Sequence, residues 1–141
     1  MKRYDELIDN QFLRGANPAV LNMLNTKYII VPDSLKQGEV LYPNPDACGN
    51  AWFIKNIKYV ANANAEMQAL NQFVPKDEAV ADKQYQNMVG NEPAARDSSA
   101  TIKLANYNPD HLIYKSSSKV QGVAVFSEIY YAKGWRCLLM G

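Results

Sequence analysis

The side chains that could do chemistry in this sequence are few and scattered. His111 is the only histidine; it stands beside Asp110, after Asn108-Pro109. A general base needs a nucleophile within hydrogen-bond reach, and the sequence places none beside it. It reads as a turn or strand-edge residue. Two cysteines, Cys48 and Cys137, form no CxxC or Cys/His group, so no zinc site is expected and no metal or cofactor is assigned. They read as two free thiols, with a single bridge between them left open. No GxSxG elbow, GxGxxG turn or Walker loop occurs. A glycosidase needs only a pair of carboxylates, and Glu128, in an aromatic-rich run, is the most suggestive acid. A strand carboxylate more commonly faces solvent or pairs with a lysine such as Lys133. No catalytic residue is assigned.

Aromatic residues make up 11% of the chain, with nine Tyr and two Trp. Flat rings suit the apolar faces of sugars, so Trp52, Tyr131 and Trp135 are candidate carbohydrate contacts. The competing reading makes Trp52 and Trp135 core anchors with satisfied indole N–H groups. Tyr130 and Tyr131 point to opposite faces of a regular strand, so only one joins any platform.

These residues sit in a chain of 141 residues with fifteen basic and fourteen acidic side chains, net +1. One compact unit is expected, and a nucleic-acid partner is not, because such proteins carry a basic excess. No run approaches the roughly 18 apolar residues of a membrane span, and Met1 to Glu6 lacks a signal-peptide core. The chain therefore reads as soluble, without its own export signal.

Periodicity supplies the elements that must position the aromatics. Tyr4, Leu7, Ile8 and Phe12 recur at helical spacing, and Gly15 suits the helix end. Asn17-Pro18 reads as an N-cap and first-turn proline, with Asn25 closing that helix. Lys27–Val31 reads as a buried strand stopped by Pro32, and Val40–Tyr42 as a short one. Ala51–Val60 is the strongest strand of the first half, with a slip near Lys55-Asn56 that suggests a bulge. Asn62 or Asn64 caps a helix that Pro75 ends. Glu78–Ala81 is a short strand, and Asp82 caps a brief helix with Tyr85 inward. Beyond a linker at 90–100 the period changes to two. Thr101–Tyr107, Leu112–Lys115, Val123–Tyr131 and a strand from Trp135 predict an antiparallel meander. The expected class is α+β: a mixed α/β subdomain over 1–89, the linker, and a β meander over 101–141 forming part of a sandwich-like layer packed on the first part.

Three segments carry a family resemblance: VLNMLNTKYIIV (Val20–Val31), NPDACGNAWFIKNIKYV (Asn44–Val60) and VFSEIYYAKGW (Val125–Trp135). In this order and spacing they resemble the C-terminal, non-membrane part of the YfhO family of bacterial membrane proteins. The resemblance implies a polytopic parent similar to C-type glycosyltransferases, which use lipid-linked sugar donors and glycosylate cell-envelope polymers such as teichoic acids. It implies that this stretch lies on the outer face of the cytoplasmic membrane, as a non-catalytic domain. Its implied partners are the transmembrane part of the parent and a cell-envelope glycan or lipid-linked sugar. The family's catalytic acids belong to membrane-proximal loops with no matching positions here. The chain departs from the pattern at Ala132, where a proline is usual, and after Arg136, where an Ile-Asp-Gly turn and further strands are expected. The C-terminus therefore reads as altered or truncated. The alternatives are a carbohydrate-binding module on surface aromatics and a protein-interaction domain with an open strand edge.

Overall fold

A computed structural model describes residues 2–13, 15–35, 38–90, 97–131 and 133–140. The expected α+β class is observed: short helices and β-strands, with the strands in four two-stranded sheets.

The N-terminal helices form as their caps dictate. Helix α1 spans Lys2–Gln11, and Gly15 follows at φ +118, a conformation glycine adopts without strain. Asn17 caps helix α2 (Pro18–Met23) by accepting from the Ala19 N–H at 3.0 Å, with Pro18 in the first turn. Asn25 ends it at φ 56, a left-handed conformation that asparagine tolerates. Asn17 also donates from Nδ2 to Gln11 Oε1 at 2.7 Å and to the Leu70 carbonyl at 3.0 Å. Gln11, only 3% exposed, donates in turn to the Met67 carbonyl at 3.1 Å. A polar hub thus ties α1, α2 and the third helix together.

Strands β1 (Tyr28–Asp33) and β2 (Gly38–Pro43) pair antiparallel, Ile30 opposite Leu41. Two expectations change here. The strand runs through Pro32, and it is exposed rather than buried: Tyr28, Ile30 and Leu41 are 59%, 60% and 57% accessible. Asn44 donates its N–H to the Lys27 carbonyl at 2.8 Å, so the ladder bonds fall on the alternate pairs through Ile29–Tyr42. Pro32 and Pro43 then face outward, where no ladder N–H is required and where they blunt the ribbon's two edges.

The expected strand Ala51–Val60 divides at Lys55. Its halves, β3 (Ala51–Ile54) and β4 (Asn56–Val60), join different sheets. The Lys55 and Asn56 N–H groups both donate to the Asp77 carbonyl, at 2.7 and 3.1 Å, which turns the chain at the predicted slip. Asn62 caps helix α3 (Ala63–Ala69), a 3-10 turn follows over Leu70–Gln72, and β5 (Glu78–Asp82) returns parallel to β4. Asp82 caps the next 3-10 turn, which leads into α4 (Gln86–Val89). Tyr85, expected inward, is instead about half exposed.

The expected linker falls mostly on residues 91–96, outside the described residues. Beyond it, β6 (Thr101–Asn108) and β7 (His111–Ser117) form a hairpin with a bulge between Leu104 and Asn106. The four-stranded meander does not form. Strand β8 covers only Val123–Phe126 and pairs antiparallel with β3, Trp52 opposite Val125. Residues 135–140, read as a final strand, carry no ladder. The apolar side of β8 is satisfied by the strongest strand of the N-terminal part, so 101–126 is stitched into 1–89 rather than forming its own layer.

The buried apolar residues are Val20, Ile54, Ile57 and Phe73. The accessible surface is 10618 Å², against roughly 7,300 Å² for a compact monomer of this mass.

Candidate functional site

Two hollows flank β3 and β8. The first, about 350 Å³, lies between β3 and β6. Trp52, Phe53 and Ile102 give it an apolar side; Lys55, Lys76 and Lys103 give it cations. β3 and β6 pack against each other without a shared ladder, and the hollow occupies that seam. Gly122 borders it and packs close to Phe53: a Cβ there would come within 3.3 Å of the ring's Cδ1 and crowd it. The loop wall is fixed by Asp97, which accepts from the Ser99 N–H at 2.8 Å, the Ser99 hydroxyl at 2.5 Å and the Lys119 N–H at 2.7 Å. The Ser99 hydroxyl, then the Lys119 and Ser99 N–H groups, hold the Asp97 carboxyl below its ordinary range. Lys55 pairs with Asp77 at 2.6 Å, and Lys76 with Asp46 at 3.6 Å.

The second hollow, about 460 Å³, is an apolar groove between α1, the end of α2 and residues 125–131. Tyr4, Leu7, Leu24, Phe126, Ile129 and Tyr131 line it, with Glu128 on its wall. Near its edge Tyr114 meets Phe126 ring-to-edge, centroids 4.8 Å apart. The Tyr114 hydroxyl is buried with no hydrogen-bond partner among the described residues. Burial, then the Glu128 and Tyr107 charges, push this phenol above its ordinary pKa.

The three proposed carbohydrate contacts do not share a hollow. Trp52 borders the first, with its indole N–H donated to the Pro75 carbonyl at 2.7 Å. Tyr131 lines the second and is half exposed. Trp135 lines neither; it donates from its indole to the Ile129 carbonyl at 3.2 Å and stands on a turn in which the Tyr131 carbonyl accepts from the Gly134 and Trp135 N–H groups. Both indole N–H groups are satisfied, and both tryptophans are half-buried, outside the buried core. Glu128 lies on the groove wall, and His111 opens β7 opposite Asn108 across the Pro109-Asp110 turn. Cys48, half-buried, and Cys137, exposed, are free thiols. Among the described residues no three of His, Cys, Asp and Glu gather as a metal-binding group. Sequence reading missed Phe53, Lys55, Lys76 and Lys103. Only Asp97-Ser98-Ser99, an Asx-turn pattern, signalled a built wall.

No protein-family model, curated protein or solved structure matches the chain. No helix among the described residues is long and apolar enough to cross a membrane.

Proposed function

We propose that this chain is a non-catalytic extracytoplasmic domain of a polytopic membrane protein resembling C-type glycosyltransferases, acting in glycosylation of cell-envelope polymers. Its partners in this reading are the transmembrane part of that protein and the glycan or lipid-linked sugar it handles.

The observation that carries the reading is uncovered apolar surface. The chain's total accessible surface, polar and apolar together, is roughly 3,000 Å² above that of a compact monomer of its mass. Leu35, Met88, Leu138 and Leu139 are almost bare, and the β1–β2 ribbon is apolar on both faces. Such surface marks interaction sites, and isolated two-stranded ribbons are marginal without a covering layer. The patches lie on α4, β1, β2, β6 and residues 127–131 and 133–140, drawn from separate parts of the chain. Coverage by other parts of one larger protein accounts for their spread. The resemblance of the three segments to the YfhO family supports this choice of larger protein.

Reading the frame upstream of Met1 tests this directly. A continuous frame encoding apolar spans is the expected result. A ribosome-binding site immediately before Met1, with no such frame, would contradict the reading.

A further inference from the structure

The seam between β3 and β6 collects more cations than its aspartates neutralise. Lys55, Lys76 and Lys103 line it with Asp77 and Asp97; Asp46, Lys115 and Lys119 adjoin. Three lysines therefore line the cleft with two aspartates. Lys55 and Lys76 each hold a carboxylate, and Asp97 is occupied by three donors of its own loop. Lys103 has no ion pair among the described residues. It also stands directly opposite Lys115 in the β6–β7 ladder. Side chains so placed have Cβ atoms about 5 Å apart, and like charges there repel. Phe53, Trp52, Ile102 and Val120 line the same cleft, with Gly122 close against the Phe53 ring. A cleft of about 350 Å³ is large enough for one small ligand.

We infer that the β3–β6 cleft binds a small oxyanion, a phosphate or carboxylate group on an apolar-faced body, with Lys103 as its principal cation. The ligand's charge relieves the Lys103–Lys115 repulsion, and its body packs on the apolar lining. The Asp97 loop is braced before binding, so little ordering opposes it. Only residues of this cleft enter the inference, so it stands independently of the membrane-protein reading.

The test follows amide NMR shifts of Ala100, Lys103 and Gly122 in the unmodified chain. The probes are glucose 6-phosphate, glucuronate, inorganic phosphate and glucose. At least one of the two charged sugars should saturate these shifts and bind about tenfold or more tighter than glucose, with affinity falling as chloride is raised. Whichever binds tighter identifies the oxyanion as phosphate or carboxylate. Lys103→Gln should weaken binding about fivefold or more, and Lys103→Arg should retain it. Lys103 is exposed, so neither change threatens the fold. No saturable shift with either charged sugar overturns the inference. So does glucose binding equally well, inorganic phosphate binding as tightly as the sugars, or an unchanged affinity in Lys103→Gln.

Discussion

Asn17→Ala removes three hydrogen bonds at once. The Asn17 oxygen caps α2 at the Ala19 N–H, and its amide nitrogen serves Gln11 Oε1 and the Leu70 carbonyl. Loss of a cap costs about 1 kcal/mol. Gln11 is 3% exposed, so its orphaned oxygen cannot turn to water and adds about 1–3 kcal/mol. The expected loss is about 2–4 kcal/mol, read from urea denaturation at unchanged m-value. Asn17→Ser keeps an oxygen for the cap and should recover about 1 kcal/mol of this. In a Gln11→Met background the orphaned Gln11 acceptor is gone, so the loss on Asn17→Ala should shrink by that acceptor's share, about 1–3 kcal/mol. The coupling in the double-mutant cycle is then about 1–3 kcal/mol. A loss below about 1 kcal/mol for Asn17→Ala, or an equal loss in both backgrounds, would refute the hub as the tie between the three helices.

Other outcomes follow from single residues. Tyr114→Phe deletes a buried hydroxyl that has no partner among the described residues, so stability should be unchanged or rise by up to about 1 kcal/mol. Because the folded pKa of Tyr114 lies above its unfolded value, its stabilisation is complete below the ordinary tyrosine pKa and disappears as pH rises through the folded value. Urea midpoints should therefore fall above about pH 10, and fall less in Tyr114→Phe. Iodoacetamide at mildly alkaline pH should label exposed Cys137 well before Cys48, whose thiol burial holds in the protonated form; equal rates on peptide mapping would contradict that burial. Gly49 stands at φ +90 with open space around a prospective Cβ, so Gly49→Ala should cost about 1–2 kcal/mol by backbone strain alone. A thermal shift within error would show that the loop simply relaxes.

Local signals were legible in the sequence where one residue fixes its own backbone. Asn17-Pro18, Asn25, Asn62 and Asp82 act where cap chemistry placed them, and Pro109-Asp110 turns the β6–β7 hairpin. The slip at Lys55-Asn56 was visible, but its consequence was not, because the Asp77 carbonyl that turns the chain there lies far along the sequence. Pro32 misled for a physical reason. Proline stops a strand only where its N–H would join the ladder, and that parity depends on β2. The apolar run Tyr28–Val31 predicted burial, yet burial needs a covering layer, which hydropathy cannot supply. Strand β8 left the meander because pairing partners are long-range: Val125 found Trp52. The first hollow was illegible for the same reason. Phe53, Lys76 and Lys103 come from three separate segments, whereas the aromatics chosen from sequence were chosen by type and fall on different surfaces.

The central claim is that the apolar faces of this chain are covered by the rest of a larger membrane protein. Oxidative footprinting of Tyr28, Tyr42, Tyr130 and Tyr131 measures that cover directly, comparing the isolated chain with the product of its full reading frame in membranes. All four tyrosines are more than half exposed in the chain. The account predicts rapid labelling of the isolated chain and strong protection of these side chains in the membrane-embedded protein. Equal labelling in both states would contradict it.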